Sequence, residues 1–344
     1  MSTGSEALVS TELPPQVQLV NLTTGGWVAQ MIAVAARLGI ADHLQDGPRQ
    51  PDELARAAGV NPDALYRLLR ALASVGIFAE AADGRFQLTP MADCLRTGGP
   101  GSMRAWALAV MEDHFLRSFA ELLYSVKTGR PAYDHVHGMG LFDYFSQNPD
   151  IGKTFDEAMT SFSSTEVPAV IQGYDFSGIH TLVDVAGGHG SLLCAALKAN
   201  AAMRGVLFDM PSVVPGSRST IEAEGLAGRC EVMGGDMFQS LPAGGDAYMM
   251  KHIIHDWDDE RSIKILKNCR SAMTPVGKVL IVETVIKPGN DQDFFKLLDI
   301  AMLMISGRER TEEQFRALLG RAGLRLTRVV PTESALSVVE AVAA

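Results

Sequence analysis

The chain has 344 residues, of which 47% are hydrophobic and 20% charged, and its formal net charge is −10. This length allows one large hydrophobic core or two domains, and the composition is that of an ordinary soluble protein. The acidic balance argues against broad contact with the phosphates of nucleic acids or with anionic membranes.

The first residues of the chain and its cysteines are those expected of a cytoplasmic protein. The first residues, MSTGSEALVSTELPP, lack the basic and apolar regions of a signal peptide. No apolar run reaches the roughly 18 residues that cross a bilayer. The four cysteines form no CxxC pair. We therefore expect reduced thiols in a cytoplasmic protein, without disulfides, a zinc knuckle or membrane contact.

Residues 1 to about 170 follow a helical pattern. Apolar residues recur at helical spacing over 16–43, broken only at 23–26. Pro51 and Pro62, each followed by acidic residues, mark the starts of two further helices. The segment FAEAADGRFQLTP predicts a short hairpin after them. Two helices followed by a hairpin predict a winged helix.

A winged helix suggests DNA binding, but the charge of this one does not. Residues 51–97 contain five arginines and six acidic residues. A protein that binds DNA needs a basic face for the phosphates. We therefore predict no nucleic-acid partner, and a role in packing, dimerisation or substrate enclosure for this unit.

From about residue 178, strand-like and helical segments alternate. This alternation predicts βαβ units and a parallel, doubly wound sheet. A helix over 312–322, capped by Thr311 and Gln314, then precedes two strands in succession, which predict an antiparallel hairpin at the sheet edge. The predicted strands are HTLVDVAGG, RGVLFDMP, RCEVMGGDMF, DAYMMKH, GKVLIVETV, GLRLTRVVP and ALSVVEAVA.

A glycine turn, DVAGGHG, joins the first predicted strand to its helix. Glycines at this place let a ligand approach the backbone, and the helix N-terminus favours negative charge. The spacing does not fit a dinucleotide site, because Leu193 occupies the third glycine position counted from Gly188 and Gly190.

Acidic residues end the next two predicted strands. A carboxylate at Asp209 can accept hydrogen bonds from both hydroxyls of a ribose. Asp236, followed by Met237, suits an adenine, with the carboxylate on its amine and the methionine on its ring face. A glycine turn, a ribose acid and an adenine acid describe an adenosine without a pyrophosphate. This combination points to S-adenosylmethionine.

The segment KHIIHDWDDE follows the fourth predicted strand. His255 lies just past its carboxyl end, the rim where doubly wound sheets bind ligands. The pKa of imidazole is about 6.5 and that of a phenol about 10, so a histidine is a workable general base for methyl transfer to a hydroxyl oxygen. Glu283, at the end of the fifth strand, and Glu309 are well placed to orient its imidazole.

The same segment could hold a metal ion through His252, His255 and Asp256. The spacing is not HExxH, however, and no cysteine pair or carboxylate cluster lies nearby in the sequence. We therefore predict no metal. Asp258 is expected to cap the following helix, and His252 has no predicted role.

The chain resembles the S-adenosylmethionine-dependent small-molecule O-methyltransferases of the plant caffeate and bacterial polyketide-tailoring type. The resemblance covers nearly the whole chain and implies S-adenosylmethionine as cofactor and S-adenosylhomocysteine as product. It implies an α/β fold with a C-terminal Rossmann-like, doubly wound methyltransferase sheet and an N-terminal, mostly helical winged-helix dimerisation domain. The matching motifs are LYRLLRALASVGIF, DYFSQNPDIGKTFDEAM, LVDVAGGHG, LFDMP, GDMF, KHIIHDWDD and GRERTEEQF.

The resemblance also implies an organisation and an assembly. The dimerisation domain would span residues 1–105, linking helices that contribute to the pocket 106–170, and the cofactor-binding catalytic domain 171–344. The partner would be a second copy, in a homodimer with interlocked N-terminal helices. Ala186 departs from the family, which usually has glycine at that position.

Site residues follow from the same resemblance. It assigns the general base to His255 and the supporting carboxylates to Glu283 and Glu309. The implied cofactor-binding residues are Ser163, Gly187, Gly188, Gly190, Asp209, Asp236, Met237, Lys251 and Trp257. The implied substrate pocket contains Trp106, Met111, Met159, Phe162, Leu298 and Met302.

The expected acceptor is a planar aromatic hydroxyl compound of secondary metabolism, because methionines adapt to flat ligands. Flavonoid-like, polyketide and simple phenolic acceptors stay open. Three other functions also stay open. They are a diverged hydroxylase or decarboxylase that uses the cofactor non-reactively, a non-enzymatic winged-helix regulator, and a dehydrogenase.

Overall fold

Two units make up the fold in a computed structural model that describes residues 13–99 and 101–344, apart from the side chains of 162–165. The first unit contains the described residues up to Leu116 and Phe145–Ser161. The second contains Arg117–Tyr144 and Phe162–Ala344. The domain limits expected at residues 105 and 170 stay a prediction.

Helices and one short hairpin form the first unit. Strands β1 (Phe78–Glu80) and β2 (Phe86–Leu88) pair antiparallel. Three helices, α8, α11 and α12, have residues in both units. The first twelve helices are α1 (Pro15–Thr23), α2 (Gly25–Arg37), α3 (Ile40–His43), α4 (Pro51–Ala58), α5 (Pro62–Ser74), α6 (Pro90–Asp93), α7 (Arg104–Ala109), α8 (Asp113–Ala120), α9 (Leu122–Thr128), α10 (Ala132–His137), α11 (Leu141–Gln147) and α12 (Pro149–Gly173).

Local signals explain the winged-helix elements. Gln50 and Glu53 form a capping box at α4, and the Asn61 side chain accepts a hydrogen bond from the backbone N–H of Ala64, at 3.0 Å, at α5. The predicted pair of helices and the hairpin are therefore present. The predicted break over 23–26 is narrower than expected, because only Thr24 separates α1 from α2.

Helices α1 and α2 leave large apolar side chains exposed. Leu19 is 62% exposed and Trp27 70%. By length and composition Pro15–Arg37 could cross a membrane, contrary to the expectation from the sequence that no such run is present. Only 17% of its most apolar window is buried, so it is not a core helix of this chain. Exposed apolar surface on this scale is typical of an interface.

The second unit contains a seven-stranded sheet in the order β5-β4-β3-β6-β7-β9-β8. Strands β3 to β7 run parallel, and β9 is antiparallel to both β7 and β8. The predicted parallel sheet and its antiparallel edge hairpin are thus confirmed. The strands are β3 (Thr181–Val185), β4 (Arg204–Asp209), β5 (Cys230–Gly234), β6 (Ala247–Lys251), β7 (Lys278–Glu283), β8 (Leu324–Pro331) and β9 (Ser337–Ala343).

Helices cover both faces of this sheet. In β7, Val279 and Ile281 belong to one hydrophobic cluster, whereas Leu280 and Val282 belong to the other. This alternation follows from the two-residue period of a strand. With both faces buried, the carboxyl ends of the parallel strands are the edge left for a ligand. The helices of this part are α13 (Ser191–Ala199), α14 (Val214–Ala223), α15 (Asp259–Ala272), α16 (Phe294–Met304) and α17 (Glu312–Arg321).

Candidate active site

Two glycines in the turn between β3 and α13 have no room for a side chain. A Cβ atom at Gly187 would lie 2.5 Å from a carboxylate oxygen of Asp184, and one at Gly190 would lie 2.6 Å from Leu207. Gly188 and Gly190 also have φ angles of 57° and 79°, which glycine adopts without steric cost. The turn therefore exposes backbone rather than side chains to a ligand.

Ala186, in the same turn, has a φ of 54°. A residue with a Cβ pays about 1–2 kcal/mol for this left-handed conformation. We expect Ala186→Gly to relieve that strain, partly offset by about 0.4–1 kcal/mol of extra unfolded-state entropy. The variant should melt about 1–3 °C higher and bind S-adenosylhomocysteine at least as tightly.

Calorimetry and thermal melting check this expectation. Ala195→Gly, inside α13, is the matched control and should lower the melting temperature, because glycine weakens a helix interior. A lower melting temperature for Ala186→Gly would contradict the strain argument.

Asp209 ends β4 beside this turn and is only 8% exposed. Its Oδ2 accepts a hydrogen bond from the Gly188 N–H at 2.8 Å, and its Oδ1 accepts one from the Met210 N–H at 2.6 Å. Each oxygen keeps a lone pair for a ligand hydroxyl. Burial raises the pKa of Asp209, and these two hydrogen bonds oppose that rise.

Asp236 follows β5, the neighbour of β4, and is exposed, with Met237 half-buried next to it. Asp236 Oδ1 accepts a hydrogen bond from the Phe238 N–H at 2.8 Å, which leaves its second oxygen for a ligand. A glycine-rich turn and two acidic residues at adjacent strand ends fit an adenosine cofactor.

We expect Asp209→Ala to weaken S-adenosylhomocysteine binding about ten- to a hundredfold, since a charge-assisted hydrogen bond contributes about 1.5–3 kcal/mol. Titration calorimetry measures the change. Glu231→Ala, an exposed residue on β5, is the control and should bind as the native protein does. If Asp209→Ala binds S-adenosylhomocysteine as tightly as the native protein does, Asp209 makes no contact with the ribose.

His255 lies on a 3₁₀ turn, Ile254–Asp256, directly after β6 and is 7% exposed. Its Nδ1 is 2.7 Å from Glu309 Oε1, and its Nε2 is 3.5 Å from Asp256 Oδ1. The imidazole therefore has a carboxylate at each nitrogen. The structure brings His255 and Glu309 together as expected, whereas Asp256 was not predicted to help orient the base.

Glu283 supports the turn rather than the ring. Its Oε1 accepts hydrogen bonds from the backbone N–H groups of Ile253 and His255, both at 3.1 Å. Its Oε2 is buried and has no hydrogen-bond partner among the described residues. Glu283 thus holds the backbone that carries His255, in place of the contact with the imidazole that we expected.

Burial disfavours the charged imidazolium, but three nearby carboxylates outweigh it. The charge of Asp256, the hydrogen bond with Glu309 and the charge of Glu283 raise the pKa of His255 to about 10. Burial in turn raises the pKa of Glu283 to about 7. The imidazole of the free enzyme is therefore protonated at neutral pH, in contrast to the pKa of about 6.5 expected from the sequence.

The loop before α17 fixes the turn from the other side. Arg310 is 1% exposed, and its guanidinium donates to the carbonyls of Ile254 at 2.9 Å and Trp257 at 3.0 Å. The Arg308 N–H donates to the carbonyl of His255 at 2.6 Å. A Cβ at Gly307 would lie 2.4 Å from that carbonyl, so glycine permits this close approach.

Trp257 packs among other rings. Phe142 lies 5.5 Å and Phe238 4.9 Å from it, centroid to centroid, and the Arg261 guanidinium lies over its face at 5.5 Å. Its Nε1 is buried without a hydrogen-bond partner in the part of the chain that the structure describes. Its role towards the cofactor stays a prediction.

Lys251, another predicted cofactor residue, is the last residue of β6, and its Nζ lies 3.2 Å from Glu166 Oε2. Glu166 was missed from the sequence, although it is an isolated acid in an apolar part of α12. Arg310 and Asp256 were missed as well, although each directly follows a predicted catalytic residue.

The predicted substrate-pocket residues fall in both units. Trp106, Met111 and Met159 belong to the first unit, and Leu298 and Met302 lie on α16 in the second; all five are half-buried. The side chains of Phe162 and Ser163 lie outside the described residues. Over residues 13–99 and 101–344, no group of three His, Cys, Asp or Glu side chains could hold a metal ion.

Comparison with known proteins identifies the family. A model of the O-methyltransferase domain matches residues 119–325, and one of the O-methyltransferase dimerisation domain matches 20–98. A phenazine O-methyltransferase from Lysobacter antibioticus is 42% identical over 324 residues, which are 94% of this chain and 95% of the relative. The chain belongs to the S-adenosylmethionine-dependent O-methyltransferases. This family match and the methyltransferase relatives favour neither the dehydrogenase nor the non-enzymatic regulator.

Solved structures agree with this assignment. The mitomycin 7-O-methyltransferase is 35% identical, with a TM-score of 0.90 over 96% of this chain and 98% of its own. An O-methyltransferase of neocarzinostatin biosynthesis, solved with S-adenosylmethionine and 2-hydroxy-5-methyl naphthoic acid, is 33% identical, with a TM-score of 0.81 over 92% of this chain and 96% of its own. This O-methyltransferase is thus of the natural-product tailoring type, with S-adenosylmethionine as cofactor and an N-terminal dimerisation domain.

Proposed function

We propose that this O-methyltransferase methylates a phenolic hydroxyl on a fused, planar aromatic acceptor, with His255 as the general base. The observation that carries the proposal is the pairing of His255 with Glu309 at the rim of the sheet, at 2.7 Å. The relatives that act on phenazines or bind a naphthoic acid support a fused-ring acceptor.

Each residue then has a distinct task. His255 Nε2 takes the proton of the acceptor hydroxyl, and Glu309 holds Nδ1 and stabilises the imidazolium that forms. Glu283 keeps the backbone of the turn in place through the N–H groups of Ile253 and His255. S-adenosylmethionine, when bound, supplies an electrophilic methyl group for in-line transfer. The glycine turn, Asp209 and Asp236 are the proposed holders of its adenosine part.

A panel of acceptors tests the proposal. The enzyme is mixed with S-adenosylmethionine and either 2-hydroxy-5-methyl naphthoic acid, 1,4-dihydroxy-2-naphthoic acid, 4-hydroxybenzoate or a naphthoic acid without a hydroxyl. We expect a product heavier by one CH₂ from the hydroxynaphthoic acids, slower reaction with the single ring, and none without a hydroxyl. Faster reaction of the single ring would overturn the fused-ring preference.

We also propose a homodimer. The motivation is the exposed apolar surface of α1 and α2, including Trp27, within the segment that matches the dimerisation domain. A stable interface buries about 1,600 Å² or more, and interlocked helices would exceed that value. Removal of residues 1–45 should therefore lower solubility as well as break the dimer.

Light scattering tests the assembly. We expect twice the 36.9 kDa mass of the chain at micromolar concentration, and a monomer or weakened dimer for Trp27→Asp. Val276→Asp, at a position 87% exposed in the second unit, is the control and should stay dimeric. A native chain that runs as a monomer would exclude the homodimer.

A cytoplasmic location belongs to the same proposal. All four cysteines are free thiols in the structure. Unpaired cysteines are typical of reducing compartments.

A further inference from the structure

A buried carboxylate on α12 binds two consecutive residues at the end of β6. Glu166 is 6% exposed, and its Oε1 and Oε2 lie 3.0 and 3.1 Å from His252 Nε2. Glu166 Oε2 also lies 3.2 Å from Lys251 Nζ. All three residues belong to the second unit.

The protonation states of His252 and Glu166 fit a hydrogen bond from the imidazole to the carboxylate. Burial lowers the pKa of His252 to about 4, so its ring is neutral and can donate one N–H. Burial would raise the pKa of Glu166, but the hydrogen bond from His252 and the charge of Lys251 bring it below its usual value. Glu166 is therefore an ionised acceptor that holds a neutral imidazole.

His252 has an unusual backbone conformation. Its φ is 56°, and it is one of three non-glycine residues with positive φ in the described part of the chain. Residues with a Cβ rarely adopt this region unless the surrounding structure holds them there. At His252 the chain leaves β6 and turns towards His255, three residues later, and the two rings lie 5.0 Å apart.

We propose that Glu166 is a positioning residue for methyl transfer, because it holds His252 in the left-handed conformation that directs the chain from β6 to His255. This inference rests on the proposed role of His255 as the base. It gives His252 a function that the sequence did not suggest. Glu166 acts through the backbone turn and has no direct contact with His255.

Substitutions at both positions test the inference, with methylation of 2-hydroxy-5-methyl naphthoic acid as the assay. We expect Glu166→Ala to lower kcat about ten- to a hundredfold, since a displacement of about 1 Å of a reacting group costs roughly that much. The rates are measured at saturating S-adenosylmethionine, because Glu166 also contacts Lys251, a predicted cofactor-binding residue. Glu157→Ala, an exposed residue on the same helix, is the control and should match the native enzyme.

The decisive comparison is between alanine and glycine at 252. His252→Ala should be as slow as Glu166→Ala, because alanine loses the hydrogen bond and is strained at this φ. His252→Gly should be clearly faster than His252→Ala, because glycine adopts positive φ freely. Adding Glu166→Ala to His252→Gly should then cost less than about threefold, since Glu166 no longer has an imidazole to hold and keeps only its contact with Lys251.

Several results would overturn the inference. One is a native-like kcat for Glu166→Ala, and another is an equal kcat for His252→Ala and His252→Gly. The third is a double variant whose loss of kcat equals the product of the two single losses. Glu166→Gln covers the case in which the alanine variant fails to fold. The glutamine keeps an oxygen that can accept the hydrogen bond from His252, so kcat should stay within a few fold of the native value. If Glu166→Gln instead lowers kcat as much as Glu166→Ala does, the effect comes from the lost ion pair with Lys251 and not from the hold on His252. The role of His255 as the base is tested separately, by the turnover of His255→Ala.

Discussion

His255→Ala and His255→Gln should lower kcat by about two to four orders of magnitude, the usual contribution of a general base. The affinity for S-adenosylhomocysteine, measured by calorimetry, should barely change, because His255 contacts Glu309 and Asp256 rather than the glycine turn. Near-native turnover would mean that the proximity of the two substrates suffices, and the base assignment would be wrong.

The pH dependence gives a second measure of the same residue. Because the three carboxylates raise the pKa of His255 to about 10, the imidazole is charged in the free enzyme at neutral pH and must lose its proton to act as a base. We expect kcat/KM of the native enzyme to rise with pH from about 6 to about 9. His255→Gln should lack that rise.

The same shift has a consequence for stability, with a definite sign. The folded-state pKa lies above the unfolded value of about 6.5, so the charged histidine stabilises the fold fully below that pH. The contribution is lost as the pH rises towards about 10. The difference in melting temperature between the native enzyme and His255→Gln should therefore become smaller at alkaline pH.

Arg310→Met should be the most destabilising of the substitutions considered. It removes the shorter hydrogen bonds to the carbonyls of Ile254 and Trp257, and one Ser262 hydroxyl, 3.3 Å from each carbonyl, can donate to only one of them. A buried, unsatisfied group costs about 1–3 kcal/mol. We expect a loss of about 2–5 kcal/mol, seen as a melting temperature lower by roughly 5–15 °C. Turnover should fall as well, because both carbonyls flank His255.

Two further variants make the Arg310 result specific. Arg310→Lys keeps the charge, but a single ammonium cannot reproduce the fork that reaches both carbonyls, so it should be intermediate. Arg316→Met, on the exposed side of α17, should change stability by less than about 0.5 kcal/mol. If Arg310→Met melts like Arg316→Met, the turn does not depend on the guanidinium.

The sequence predicted what depends on short-range pattern. The apolar run of β7, the capping box of α17 and the glycine turn are each contained within a few residues, so β3 to β9 and α17 were predicted correctly. Helix α16 was missed because only Lys296 and Asp299 interrupt the apolar residues of FFKLLDIAMLM, which leaves little periodic signal.

The long-range contacts of the site were only partly predictable. The approach of Glu309 to His255 follows from the fact that both lie in loops at the same rim of the sheet. The contact of Glu166 with His252 joins residues 86 positions apart and depends on how α12 packs on the sheet. The pKa of His255 depends on three carboxylates whose distances no spacing in the sequence gives.

The turn that carries His255 has consequences for evolution and redesign. The carbonyls of Ile254, His255 and Trp257 are all bonded within the sheet-bearing unit, and none of these bonds involves α16. Asp299 is the exception on α16 and has to be kept, because its Oδ1 accepts a hydrogen bond from the Glu309 N–H at 2.8 Å. The side chains of Leu298 and Met302 take no part in these hydrogen bonds, which makes them the first positions to randomise for new acceptors.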